Sequence, residues 1–214
     1  MTKRRIPLFP LPGVVLLPGA LLPLHIFEPR YRAMVAEALA GDGTIGMAMI
    51  RADSEVAAPT PEIHPVGGAG RIVESEELPD GRYNIVLEGE FRYRVLAESA
   101  PAPYRVADVE ELAAIPFPGA EEASRASARL RTLFDEVAAA MALPPLPDGD
   151  LDPERLASEV ALRLRFEPSE LQAFLETDSI PSRFEALFDR IREWSGRIEF
   201  LAPYRMAGVD PSTN

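Results

Sequence analysis

The chain of 214 residues contains no cysteine, which excludes disulfides, thiol catalysis and cysteine-ligated metals. Lysine is nearly absent as well: Lys3 is one lysine among 22 basic residues, and the others are arginines. Away from that position, no lysine is present to act as a general base or to form a Schiff base. The sequence therefore gives no support to enzyme classes that depend on either side chain.

Long apolar runs are missing too. No run reaches ~18 uninterrupted apolar residues, so we expect no membrane span. Basic residues do precede an apolar stretch at the N-terminus, as they do in a secretory signal. However, Pro7, Pro10 and Pro12 interrupt the helical segment that such signals need. We therefore expect a cytoplasmic protein.

Positive charge is in deficit, because 34 acidic side chains against 22 basic ones give a formal net charge of −12. Nonspecific nucleic-acid binding depends on neutralising phosphates, so this balance argues against it. The composition is otherwise that of a globular protein, with 47% hydrophobic and 26% charged residues. The length suits one large domain or two small ones.

Catalytic signatures are absent. The sequence has no GxxxxGK(S/T) phosphate loop and no GxSxG nucleophile elbow. Neither His25 nor His64 has the spacing of a metal site, and we expect His25 to be a hydrogen-bonded core or strand residue. An acidic group around a predicted turn is expected to be a solvated face: Glu74, Glu76, Glu77 and Asp80. We predict no catalytic residue, no metal site and no cofactor.

The stretch from Ile6 to Arg32 is dense in apolar residues yet divided by six prolines and two glycines. Proline removes a backbone donor and clashes with the preceding turn, so a long helix cannot run through it. We predict short extended segments joined by tight turns, with the first helix beginning after Phe27. Burying each large apolar side chain is worth roughly 1.5–3 kcal/mol, so this stretch is predicted to be core.

The rest of the first half reads as one helix and several strands. Pro29 is placed to open the helix and Gly41 to end it. The apolar run from Thr44 to Ile50 predicts a buried strand. Later segments show alternation, and Glu88-Gly89-Glu90 predicts the turn of a hairpin. The glycines Gly67, Gly68 and Gly70 predict a turn or bulge. Six or seven short strands favour a closed or nearly closed barrel, which removes exposed edges.

After the linker at residues 115–119 the apolar period becomes helical. Four amphipathic helices are predicted, the second capped by Asp152 and followed by proline at its first turn. Trp194 is expected in the core. The predicted fold class is α+β, with a barrel domain over residues 1–116, a helical bundle over 117–205 and a disordered tail over 206–214.

Three segments together resemble the Lon protease N-terminal (substrate-binding) domain family. They are IPLFPLPGVVLLPGALLPLHIFEPRYRAMVAEAL, the strand region GAGRIVESEELPDGRYNIVLEGEFRYRV, and the helical DPERLASEVALRL. The resemblance covers roughly residues 5–195. Leu17 stands where that family usually has phenylalanine, and the long helix leading to an ATPase is missing. The resemblance implies a PUA-like β-barrel followed by a small helical bundle, and a freestanding domain without ATPase or peptidase parts.

The same resemblance implies a non-catalytic module that recognises polypeptide segments, acting as an adaptor or chaperone-like factor with a protease or chaperone partner. Charged residues that alternate beside two aromatic ones are the candidate partner surface: Phe27, Glu28, Arg30, Tyr31 and Arg32. Internal pairing that fixes the start of the helix is the competing interpretation of these charges. Two other functions stay open: a small-molecule site or cryptic hydrolase in an interdomain cleft, and RNA binding, which the negative charge disfavours. The sequence sets no oligomeric state.

Overall fold

The computed structural model describes residues 2–55, 60–99 and 103–206, with side chains up to residue 197. These residues form a sheet and five helices, so the predicted α+β class is confirmed. The strands are β1 (Lys3–Leu11), β2 (Leu21–Ile26), β3 (Thr44–Met49), β4 (Val66–Glu77), β5 (Tyr83–Ser99) and β6 (Arg105–Leu112). The helices are α1 (Pro29–Ala40), α2 (Ala120–Met141), α3 (Pro153–Arg163), α4 (Pro168–Glu176) and α5 (Ile180–Met206).

The chain divides into two compact units. The first holds the described residues up to Ile115 together with Phe166–Asp178, so it contains the sheet, α1 and α4. The second holds Pro116–Arg165 and the described residues from Ser179 onward, which form α2, α3 and α5. Residues 207–214 of the predicted tail lie outside the described residues. No described helix combines the length and apolar composition needed to cross a bilayer.

The sheet has six strands in the order β2-β5-β4-β3-β1-β6, and β5 also pairs with β6. Strands β1 and β3 are parallel, and the other pairs are antiparallel. Following the pairings from β1 through β3, β4, β5 and β6 leads back to β1. Strand β2 lies outside this circuit, because among the described strands it pairs with β5 alone.

The predicted hairpin around Glu88-Gly89-Glu90 is wrong, since this segment lies inside β5, a single strand of 17 residues. The glycine serves a close backbone approach, because a Cβ on Gly89 would lie 2.1 Å from the carbonyl oxygen of Leu17. A Cβ on Gly68 would lie 1.8 Å from the carbonyl oxygen of Leu16. The connection between β1 and β2 therefore rests directly on glycines of β4 and β5. A predicted bulge is confirmed by the register shift between Ala69 and Gly70.

The core of the first unit includes much of the proline-rich N-terminal stretch, as predicted. Leu8, Leu16 and Ile26 are almost fully buried. Leu21 and Phe27 contradict the prediction, because they are 62% and 61% exposed. One buried cluster joins four strands: Ile6, Leu8, Ala69, Phe91, Tyr93, Ala107 and Val109.

In the second unit each described helix turns an apolar face inward, with buried residues such as Leu130, Phe134 and Phe184. The predicted cap of α3 is confirmed, since the Asp152 carboxylate accepts from two backbone N–H groups at 3.0 Å. Trp194 is half-buried and so only partly matches its predicted core position.

Candidate functional site

Strand β2 alternates between exposed side chains and half-buried or buried ones, as a strand with one solvated face does. Ile26 is buried, whereas Leu21, Pro23 and His25 are exposed. Phe27 follows the strand and stacks on His25, with ring centroids 6.3 Å apart and planes 28° apart. We call this set the β2 surface, defined by Leu21, Pro23, His25 and Phe27 with their neighbours Asn84 and Glu76.

A chain of hydrogen bonds fixes the polar part of the β2 surface. Arginine can only donate, so Arg82 Nη1 donates to His25 Nε2 at 3.1 Å. His25 Nδ1 then donates to Asn84 Oδ1 at 2.8 Å. The Asn84 amide nitrogen donates in turn to the Glu76 carboxylate at 2.9 Å. Arg82 is itself fixed by Asp80, because Arg82 Nε donates to the Asp80 carboxylate at 2.7 Å. These bonds hold the His25 ring in one orientation.

The five sequence-predicted residues lie in different environments. Phe27 is exposed and belongs to the β2 surface. Glu28 and Arg30 form an ion pair at 2.9 Å, and the Arg30 guanidinium lies 4.5 Å from the centre of the Tyr31 ring. Tyr31 is only 5% exposed, and its burial raises the pKa of its hydroxyl. Arg32 is half-buried beside the turn at residue 81, where a Cβ would lie 2.0 Å from its Nη2.

Leu21, Pro23, Asn84 and Glu76 are not among the site residues predicted from the sequence, and His25 is predicted there to be structural. The alternation of β2 could have identified Leu21 as outward-facing, because every second residue of a strand shares a face. The prolines and neighbouring leucines of this stretch conceal that alternation. The pairing of His25 with Asn84 depends on strand register, which residue type alone does not give.

A second concave surface lies in the first unit beside the N-terminus of α4. This cavity has a volume of about 810 Å³. It is lined by the β1–β2 connection, the ends of β3 and β4, and the first turn of α4: Pro12, Gly13, Met49, Ile50, Arg51, Ala52, Asp53, His64, Pro65, Glu167, Pro168 and Ser169. We call it the α4 groove.

Charged groups of the α4 groove are engaged with one another. Arg51 donates to both carboxylate oxygens of Asp53, at 3.0 and 2.8 Å, and this hydrogen bonding lowers the pKa of Asp53. His64 Nδ1 lies 3.2 Å from the carboxylate of Glu176, which also accepts from Gln172 at 2.8 Å. Within the described residues, no group of three or more His, Asp or Glu side chains is arranged to hold a metal ion.

The sequence matches the family model of the ATP-dependent protease La (LON) substrate-binding domain over residues 5–193. Among curated relatives, a Lon protease of Dictyoglomus thermophilum is 30% identical over 188 residues, or 84% of this chain. Lon protease 2 of Myxococcus xanthus is 27% identical over 191 residues, or 86% of this chain. In both cases the match covers 23% of the relative, so this chain spans about a quarter of their length.

Solved structures show the same fold. The N-terminal domain of a Mycobacterium avium complex Lon protease superposes with a TM-score of 0.66 at 19% identity, covering 88% of this chain and 98% of that domain. A Lon N-terminal domain protein from Xanthomonas campestris superposes with a TM-score of 0.62 at 22% identity, covering 87% and 98%. As its sequence motifs indicate, the chain belongs to the family of the ATP-dependent protease La (LON) substrate-binding domain.

Proposed function

We propose that this chain is a non-catalytic module that binds extended, apolar polypeptide segments along the β2 surface. The observation that carries the proposal is the edge of β2 that no described strand covers, next to exposed Leu21 and Phe27. An edge strand offers backbone N–H and C=O groups to an added strand, and alternate side chains give selectivity. Family membership supports the same class of ligand.

Pro23 limits the strength of this interaction. Proline has no N–H to give to an added strand and is tolerated at sheet edges for that reason. A client strand along β2 therefore forms a short ladder on either side of Pro23. Exposed Leu21 and Phe27 supply apolar contacts at the two ends of that ladder. Short ladders of this kind favour reversible capture over the permanent pairing that leads to aggregation.

The circuit of pairings from β1 to β6, in which β5 pairs with both β4 and β6, supports a PUA-like barrel. Amide NMR contacts across β5 and β6 would test it. Family membership also supports a cytoplasmic adaptor role, in which captured segments pass to a protease. Co-purification from the native host tests that role, and recovery of an ATP-dependent protease supports it. The domain boundaries at residues 117 and 205 stay predictions.

The binding proposal is tested with a permanently unfolded, reduced and alkylated protein that carries a fluorophore. The double variant Leu21→Ser, Phe27→Ser should bind it at least about tenfold more weakly, because burying each side chain is worth roughly 1.5–3 kcal/mol. Leu39→Ser is the matched control, since Leu39 is 43% exposed on α1 and lies outside the β2 surface. Equal anisotropy curves for the double variant and the wild-type chain, at equal melting temperature, would contradict the proposal.

A further inference from the structure

We propose that the α4 groove is a second binding site of this chain, which takes a polypeptide segment with an apolar side chain next to Lys or Arg. The inference rests on the proposed function for its class of ligand, a polypeptide. It assigns a separate surface and a different selectivity, because no residue lining the α4 groove belongs to the β2 surface.

The groove has room and apolar walls for a side chain. Its volume of about 810 Å³ lies within the range of ligand sites, about 300–1,000 Å³. Beside Gly13 and Ala52, five of its lining residues are apolar: Pro12, Met49, Ile50, Pro65 and Pro168. Prolines at such positions have few conformations to lose when a ligand packs against them. An apolar side chain that enters the groove is therefore withdrawn from water at low entropic cost.

Backbone hydrogen bonds hold the walls of the groove in place. The backbone N–H of His64 donates to the carbonyl oxygen of Met49 at 2.9 Å. The backbone N–H of Arg51 donates to the backbone carbonyl oxygen of Glu62, also at 2.9 Å. On the opposite wall, the Gln172 amide of α4 donates to a β4 carbonyl oxygen at 2.9 Å. A site whose walls are fixed before binding loses less entropy when the ligand arrives.

The charge around the groove selects a basic ligand. Asp53 and Glu167 line the groove. The carboxylate of Glu62 lies 3.8 Å from the guanidinium of the lining residue Arg51. Glu176 lies behind the lining residue His64. The lining residues and their hydrogen-bonding or ion-pair partners thus include four carboxylates, whereas the one guanidinium in the lining, that of Arg51, is already paired with Asp53. The side chains of Asp53 and Glu62 are 66% and 74% exposed, so a Lys or Arg of the ligand can reach them from solvent.

The test uses three fluorescent peptides with Gly-Ser flanks that carry two Leu–Arg, two Leu–Glu or two Gly–Arg pairs. We expect the Leu–Arg peptide to bind most tightly, because it alone satisfies both the apolar walls and the carboxylates. Ala52 is exposed at the groove, so Ala52→Trp should fill it and weaken that peptide at least about tenfold, while Ala52→Ser should bind as the wild-type chain does. Glu62→Gln should weaken binding about threefold and reduce its dependence on salt.

The double variant Leu21→Ser, Phe27→Ser separates this inference from the proposed function. It should bind the Leu–Arg peptide as the wild-type chain does, while it binds the unfolded protein at least about tenfold more weakly. If the Ala52→Trp variant binds the Leu–Arg peptide with the wild-type affinity and has the wild-type melting temperature, the groove is not the site and the inference fails. That result would not contradict binding at the β2 surface. Equal binding of the Leu–Arg and Leu–Glu peptides would also overturn it, since the carboxylates would then select nothing.

Discussion

The guanidinium of Arg92 lies 3.0 Å from the carboxylate of Asp178, although Arg92 belongs to strand β5 and Asp178 follows helix α4. Arg92 is 1% exposed and also donates to the carbonyl oxygen of Leu175 at 2.9 Å and to that of Ala113 at 3.3 Å. Carbonyls at the end of a helix lack partners within the helix, and arginine has the donors to satisfy several at once. Together with Gln172, which donates to a β4 carbonyl oxygen, this side chain attaches α4, and with it one wall of the α4 groove, to the sheet.

Replacing Arg92 by Met should lower the free energy of unfolding by about 3 kcal/mol, because buried carbonyl oxygens lose their donor. Amide hydrogen exchange over residues 168–176 should accelerate more than exchange in β3, since α4 loses one of its attachments to the sheet. Arg71→Met is the matched control, because the side chain of Arg71 is 54% exposed in its pair with Glu90. This substitution should lower the free energy of unfolding by only about 0–1 kcal/mol. Equal losses in the two variants would refute this role of Arg92.

Gly68 is predicted to tolerate no side chain. A Cβ at this position would lie 1.8 Å from the carbonyl oxygen of Leu16, and backbone cannot move aside as a flexible side chain can. We expect Gly68→Ala to destabilise the first unit by more than about 3 kcal/mol, measured by urea unfolding. Gly196→Ala should instead stabilise α5 by about 0.5–1 kcal/mol, because open space surrounds Gly196 in that helix. A mild effect at Gly68 would show that the β1–β2 connection can move away.

Local chemistry predicted several element ends correctly. Pro29 opens α1, residue 41 follows its end, and Asp152 caps α3, because each acts on neighbours within a few residues. Gly89 was misjudged for the opposite reason. Glycine occurs both in turns and where another backbone segment passes close by, and the sequence does not distinguish the two. The segment that passes close to Gly89 is about seventy residues away in the chain.

Some residues of the candidate site can likewise be predicted from the local sequence, whereas others depend on the tertiary fold. Phe27 could be selected from sequence because an aromatic residue beside the start of a helix is a local feature. Tyr31 was selected on the same grounds, yet its ring is buried against Phe9 with centroids 4.4 Å apart. The α4 groove could not be foreseen at all, since it joins residues near position 12, near position 50 and near position 168. Only the tertiary fold brings these together.

The pKa of Tyr104 should lie well above that of an ordinary tyrosine. Its hydroxyl donates to the Glu37 carboxylate at 2.5 Å, and burial together with this carboxylate raises the pKa of Tyr104 to about 12. The unfolded chain releases the same proton near its ordinary pKa of 10.0, so folding retains a proton that the unfolded state has lost. Stability is therefore fully present below pH 10 and falls as the pH rises from about 10 to about 12.

Tyrosinate absorbance and urea unfolding across this pH range check the prediction for Tyr104. The Tyr104→Phe variant should lose the absorbance component near pH 12, and its stability should fall less steeply over the same interval. Tyr83→Phe serves as the comparison, because Tyr83 also has a raised pKa, through burial and Glu77, but does not contact Glu37. An unchanged titration curve in Tyr104→Phe would show that Tyr104 does not titrate near pH 12, and that its bond to Glu37 does not raise its pKa.

The His25 ring should be present as its Nδ1–H tautomer when neutral. Arg82 can only donate, so Nε2 must accept, and Nδ1 is left to donate to Asn84. Long-range proton–nitrogen NMR spectra at pH about 8 distinguish the two ring nitrogens of a neutral histidine. Arg82→Met removes the donor to Nε2 and should allow the Nε2–H tautomer to appear, whereas Arg71→Met should leave the ring unchanged. A dominant Nε2–H tautomer in the wild-type chain would mean that Arg82 does not bind His25, and that the polar part of the β2 surface is not fixed by this chain of hydrogen bonds.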